Sequence, residues 1–359
     1  MPPKNKKQKI NQKKKQKTTI AAENQSSDAL IKVDSLRKVY KTHHREEGLW
    51  NAVKSLFHRV YENKEALKGI SFNIDQGEIV GLIGPNGAGK STTIKTLSGV
   101  LYPTSGDVKV CSFTPWKDRV KYVENIGVVF GQKPQLMWDL PPVDSFALNK
   151  ELYDIPPKVF EKRLKYMTKL LRITDITTTP VRDLSLGERM KAKIVNALLH
   201  NPKLVFLDEP SIGLDVIAKD LLRDFILDVN KRYKTTFIIT THDMQDIEKL
   251  CKRVIIINHG IIVYDGPLDH IKKYYLKSKI IHVKAEDKIN GFSMKGCKIL
   301  EQDTYEIKIE VDIKTTPIKK VIVYLLKKFE CADLIIEDPP IEQVIQRIFN
   351  EKKQKKIME

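Results

Sequence analysis

The segment Gly84-Pro85-Asn86-Gly87-Ala88-Gly89-Lys90-Ser91-Thr92 constrains this chain more than any other. It fits G-x-x-x-x-G-K-[ST], and its surroundings fit too. The apolar run Ile79–Ile83 reads as a strand before it, and a helix is predicted from about Ser91 after it. Glycines at these spacings let the backbone wrap closely around phosphate oxygens. Successive N–H groups at a helix N-terminus then make an anion-binding nest. Lys90 is placed to reach β- and γ-phosphates, and Ser91 to ligate Mg²⁺. Such a loop belongs to an α/β architecture, and from Glu65 the chain does alternate strand, glycine loop and helix.

Two further segments extend the chemistry. Leu204-Val205-Phe206-Leu207 makes a buried strand, and Asp208 and Glu209 stand side by side at its end. A strand ending in a solvated acidic turn is ordinary by itself. Beside a phosphate loop, Asp208 can hold Mg²⁺ through water and Glu209 can polarise an attacking water as general base. Leu184-Ser185-Leu186-Gly187-Glu188 lies upstream, with Gly187 21 residues before Asp208. Ser185 with Glu188 three residues on predicts a capping box at a helix start. The same hydroxyl and N–H groups could also meet a phosphate.

Taken in order, these motifs resemble the ATP-binding subunit of an ABC transporter over about residues 30–275. Gly84–Thr92 is similar to the Walker A loop, and Asp208 with Glu209 to the Walker B pair. Leu184–Glu188 resembles the LSGGQ signature, with Leu186 for the first glycine and Glu188 for glutamine. Ser185 and Gly187, which meet the γ-phosphate in the family, are kept. Ile212-Gly213-Leu214-Asp215 resembles the D-loop. His242, after the strand Phe237–Thr240, matches the switch histidine that contacts the γ-phosphate. Gln132 fits the Q-loop glutamine that senses Mg²⁺ and the attacking water, although Gly131 separates it from the usual aromatic and Gln135 is nearby. For the aromatic that stacks on adenine the resemblance offers Tyr40, by local pattern, and Tyr61, by distance to Walker A. The insertion 41–60 separates the two, and Tyr40 is favoured.

The resemblance implies an α/β fold: a P-loop NTPase ABC ATPase core with an antiparallel β-subdomain and a helical subdomain, plus a small C-terminal α+β domain. Expected boundaries are a disordered Lys-rich tail at 1–29, the ATP-binding domain at 30–277 and an accessory domain at 278–359. Within the ATP-binding domain, 41–60 is the insertion and 133–183 the helical subdomain. In that helical stretch Val159, Phe160, Leu164, Met167, Leu170 and Leu171 form a stripe at helical spacing. In the accessory domain, Tyr305–Val311 and Asp333–Ile336 read as strands, and Lys319–Phe329 and Pro340–Phe349 as helices.

The implied reaction is hydrolysis of ATP to ADP and phosphate, with ATP and Mg²⁺ bound. Lys90, Glu209, His242 and Gln132 carry the chemistry; Mg²⁺ is held by Ser91, Gln132 and Asp208. Two copies must pair, because in the family one subunit's signature meets the other's γ-phosphate. The expected partners are a second ATP-binding subunit, as a homodimer, and a separate transmembrane permease of the exporter kind. The expected location is cytoplasmic, peripheral on the inner face of the cell membrane. Residues 133–183 would dock on the permease. Leu49, Trp50, Val53, Leu56, Phe57 and Val60 of the insertion share one helical face, which would meet the membrane interface or the transmembrane partner, or pack on its own domain.

Composition bears on the partners. The formal charge is +18, but eight of those charges are lysines within residues 1–17, a stretch with no acid. The tail could touch an anionic membrane surface, touch nucleic acid or serve only to keep the chain soluble. The remainder is less basic, which removes nucleic acid as the leading partner. The rival class is an ABC ATPase without a permease, acting on a nucleic-acid or ribosome-type partner. One nucleotide unit, where ribosome-type members resemble two fused units, speaks against it. So do the 95 residues between Thr92 and Gly187, far short of the long coiled coils of chromosome-type members. The four cysteines form no CxxC pair, so no disulfide framework is expected. No run of about 20 apolar residues is present to span a bilayer.

Overall fold

A computed structural model describes residues 29–43, 61–131, 133–275, 278–339 and 345. The lysine tail, the body of the 41–60 insertion, Gln132 and most of the expected helix Pro340–Phe349 lie outside the described residues.

The first strands, β1 (Ile31–His43) and β2 (Tyr61–Ile74), pair antiparallel. They are followed by β3 (Ile79–Ile83), helix α1 (Lys90–Leu97), β4 (Ser105–Val110), the short helix α2 (Arg119–Val123) and β5 (Ile126–Phe130). The 133–183 stretch contains α3 (Pro142–Leu152), α4 (Pro157–Leu170) and two single 3₁₀ turns. Prolines at the first helical positions of α3 and α4 preset φ and forgo only an N–H that the first turn leaves unpaired. Of the expected stripe on α4, Met167 is fully buried with Leu171, whereas Val159 is 38% exposed. Helical spacing marks the apolar face; which part of it a neighbour covers is settled by tertiary packing.

Helix α5 (Leu186–Leu198) leads to β6 (Leu204–Asp208), then α6 (Val216–Tyr233), β7 (Thr236–Thr240), α7 (Met244–Leu250), β8 (Arg253–Asn258) and β9 (Ile261–Pro267). The six-stranded sheet runs β5-β6-β7-β3-β8-β9, and β5, β6, β7 and β3 are parallel. Leu204, Val205, Phe206 and Leu207 are wholly buried, as the continuous apolar run of a doubly covered parallel strand requires. Strands β2-β1-β4 form a separate antiparallel sheet. Its Ile31, Leu36, Leu67, Ile70 and Ile74 pack in one core with Val80, Leu82, Ile94, Phe206 and Ile238. Truncating a residue such as Phe206 there would cost about 3–5 kcal/mol.

The described residues fall into two compact units. One runs to Cys251 and includes Ile255–Asp265; the other holds Lys252–Val254 and the chain from Gly266 onward. The helix α8 (Leu268–Tyr275) thus groups with the second unit, where the Leu268 N–H donates to the Lys252 carbonyl at 2.9 Å. In that unit β10 (Ser278–Ala285), β11 (Cys297–Gln302), β12 (Glu306–Asp312) and β13 (Cys331–Glu337) form an antiparallel sheet ordered β11-β12-β10-β13. Ile307, Ile309 and Val311 on one face of β12 pack on Val321 and Leu325 of α9 (Ile318–Lys328). Tyr305 lies outside the strand and is half exposed.

Candidate functional site

Parallel strands deliver their following loops to one sheet edge, which is where α/β folds bind ligands. Here β3 ends in the Gly84–Thr92 loop, β6 in Asp208 and Glu209, β7 in Thr240 and His242, and β5 in Gly131. Ser91, Phe130, Gly131, Asp208 and Glu209 line one cleft, together with Lys95. Residues almost 160 positions apart in sequence are assembled by that topology alone.

The phosphate-type loop is held tightly. A side chain on Gly84 would collide with the Ile257 carbonyl, so glycine is required by close approach rather than by φ. The Lys90 ammonium is buried and donates to the carbonyls of Gly84 at 2.6 Å and Pro85 at 3.2 Å. Burial pulls its pKa below the usual lysine range, and the carboxylates of Glu209 and Asp208 pull it partway back. The charge is thus held inside the loop, within electrostatic reach of two acids at the end of β6, one strand beyond β7 in the sheet. The first-turn N–H groups of α1 have no carbonyl of their own helix to bond.

At the end of β6, the Thr240 hydroxyl donates to Asp208 Oδ1 at 2.5 Å and fixes that carboxylate. Glu209 has a left-handed backbone with φ 55°, a conformation that costs a non-glycine residue on the order of 1 kcal/mol. Its N–H donates to the Thr240 carbonyl at 2.9 Å, which holds the strained residue in place. The Glu209 carboxylate lies 3.0 Å from His242 Nε2. Both side chains remain partly open to solvent, Glu209 34% and His242 50%.

Motif residues also cap the helices. Ser185 N-caps α5 in the expected capping box: its Oγ accepts from the Glu188 N–H, and Glu188 Oε2 accepts from the Ser185 N–H at 2.9 Å. The Ser185 hydroxyl, donating to Glu188 Oε2 at 2.7 Å, and then the Ser185 N–H hold the Glu188 carboxyl below its usual pKa. Asp215 N-caps α6, accepting from the Ala218 N–H at 2.7 Å, and Asp243 N-caps α7. Such a cap is worth about 1 kcal/mol. The signature and the D-loop-like segment touch: Gly213, at φ 74°, lies under the side chain of Leu186, and any side chain there would strike it.

Behind the switch-like histidine lies a charged network. Arg223 of α6 is buried and bonds Asp246 of α7 at 2.6 Å and Asp220 at 2.8 Å. Asp246 also accepts from the hydroxyl of Thr241, the residue before His242. Lys219 reaches Asp243 at 2.7 Å. Sequence reading missed Thr240, Arg223 and Asp246. Only Thr240 left a local signal, a hydroxyl ending an apolar strand beside the acidic pair.

Tyr40 sits in β1 opposite Lys64, with the Lys38 ammonium 5.3 Å from its ring centre. Tyr61 begins β2 opposite His43. Gln132 lies outside the described residues. Gln135 is occupied structurally: it accepts from the Phe130 N–H at 3.0 Å and donates to the Val128 carbonyl at 2.9 Å. Among the described residues no three His, Cys, Asp or Glu side chains come together to hold a metal. A hard cation at Ser91 and Asp208 would therefore take further oxygens from phosphate and water, which suits Mg²⁺. Among the described residues no helix is long and apolar enough to cross a membrane.

Comparison with known proteins places the chain in a family. The ABC transporter family model matches residues 67–212. The chain is 31% identical to the methionine import ATP-binding protein MetN of Halalkalibacterium halodurans, over 69% of this chain and 72% of that one. It is 28% identical to the linearmycin resistance ATP-binding protein LnrL of Bacillus subtilis, over 80% of this chain and 94% of that one. A solved structure of an ATP-binding subunit of an ABC transporter superposes with a TM-score of 0.58 at 26% identity, covering 68% of this chain and 92% of the other.

Proposed function

This chain belongs to the ATP-binding proteins of ABC transporters and is an ATPase of that family, and from that premise we propose that it energises a separate transmembrane permease, in the direction of export. The observation that carries the hydrolytic part is the Glu209–His242 pair at 3.0 Å beside a buried Lys90. ATP would lie with its phosphates on Gly84–Thr92 and its adenine against Tyr40 or Tyr61. Ser91 and Asp208, with Gln132, would hold Mg²⁺, which when bound would neutralise charge on the phosphate oxygens. Glu209 takes a proton from the attacking water, and His242 steadies Glu209 and the γ-phosphate. Lys90 offsets charge on the transferring group.

Completion of the site needs a second copy. Ser185 and Gly187 of one subunit would meet the γ-phosphate bound on the other, with Leu186, Glu188 and Asp215 shaping that contact. The Gly213–Leu186 packing supports this reading, because it joins signature and D-loop into one surface. Closure around ATP would then drive the permease through the 133–183 region, on the cytoplasmic face of the membrane, with residues 278–359 as an accessory domain and the lysine tail beside anionic lipid. Kinship with a resistance protein supports export; kinship with an import protein is the reason to test direction separately. Membrane fractionation of the full chain is the first test. Recovery with membranes and co-purification of a polytopic protein are expected. Recovery wholly in the soluble fraction, with no such protein, overturns the permease reading.

A further inference from the structure

One buried cation has no part in the chemistry above. Lys193 lies on α5, eight residues beyond Ser185 and so about 12 Å along the helix. Its side chain is buried, and among the described residues no carboxylate pairs with it. Its ammonium donates to the Gly131 carbonyl at 3.0 Å. Burying an ammonium without a counter-charge is costly, so a merely structural lysine would be poorly placed here. The acceptor is what gives the position meaning. Gly131 follows β5 and lines the cleft with Ser91, Asp208 and Glu209. Its N–H donates to the Asp208 carbonyl at 2.9 Å. The Gly131 residue is therefore held on both sides, by the end of β6 through its N–H and by α5 through its carbonyl.

We infer that Lys193 is a positioning residue that ties the helix begun by Ser185 to the rim of the hydrolytic cleft at Gly131 and Asp208. In a paired arrangement, Ser185 serves the nucleotide of the other copy while Asp208 serves its own. Lys193 then links the two sites within one chain, so that a shift of the helix on one nucleotide moves the rim beside the other. The inference rests on the hydrolytic reading of the cleft.

The test compares full-length wild type, Lys193→Met and Lys193→Arg for kcat and KM in ATP hydrolysis with Mg²⁺, and for Tm. Methionine keeps the volume and removes a buried charge, and Gly131, a partly exposed residue, can turn its carbonyl to water, so Tm should hold or rise. The expected result is a kcat at least 10-fold lower in Lys193→Met, KM within 2-fold, and substantial recovery of kcat in Lys193→Arg. A Lys193→Met kcat within 2-fold of wild type overturns the inference. So does a kcat loss matched by a fall in Tm and not recovered by arginine. A wild type that does not hydrolyse ATP overturns the hydrolytic reading, and the inference with it.

Discussion

His242 Nε2 and Glu209 Oε1 lie 3.0 Å apart, one at the end of β7 and one at the end of β6. Because those strands are hydrogen-bonded neighbours, with Asp208 opposite Thr240, the pair is fixed by sheet register rather than by loop sequence. A general base oriented by an imidazole contributes roughly 10²- to 10⁴-fold. His242→Ala should therefore lower kcat at least 100-fold while ATP still binds, measured by phosphate release against equilibrium nucleotide binding. Near-normal turnover would remove His242 from the mechanism.

Thr240 governs the carboxylate next door. Its hydroxyl bond to Asp208 at 2.5 Å orients a candidate metal ligand, and loss of such support typically weakens metal affinity about 10- to 100-fold. Thr240→Val should raise the Mg²⁺ concentration needed for half-maximal hydrolysis by that order. A Mg²⁺ titration checks it.

The Arg223–Asp246 pair is buried at both ends, so breaking it leaves an unpaired charge inside. The cost is about 3–5 kcal/mol, a Tm loss on the order of 10 °C for a chain of this size. Arg223→Met alone should show that loss, and Arg223→Met with Asp246→Leu should regain part of it. A double variant less stable than the single would show that Asp246 matters through Thr241 instead.

His200 predicts a pH dependence. Burial pushes its pKa down to about 4, against the bond its Nε2–H donates to the Ile126 carbonyl. The folded value lies below the unfolded value of about 6.5, so the neutral ring is favoured by folding. Its contribution is complete above about pH 6.5 and is lost as pH falls toward 4, at most about 3 kcal/mol. His200→Phe keeps the ring stacked on Tyr153, 4.0 Å away. Denaturation at pH 7 and pH 5 should show a smaller stability loss in the variant than in wild type.

Much of this site was legible because its chemistry fixes residue types at fixed spacings. The Gly84–Thr92 loop, the Asp208–Glu209 pair and His242 each follow an apolar strand, and the strands formed within a residue or so of where the pattern put them. The Ser185–Glu188 capping box was legible for the same reason, its partners being three residues apart. What escaped depends on pairings distant in sequence. Lys193 meets Gly131 across 62 positions and Arg223 meets Asp246 across 23. No local pattern encodes either. Val159 shows the same limit from the other side: its helical spacing was plain, yet no neighbour covers it fully.

The central claim is that Glu209 activates water in a site completed by a second copy. Full-length Glu209→Gln, incubated with ATP and Mg²⁺ and followed by light scattering and phosphate release, tests it most directly. A stable dimer retaining unhydrolysed ATP is expected. Phosphate release at the wild-type rate, or a monomer that holds ATP, would contradict it.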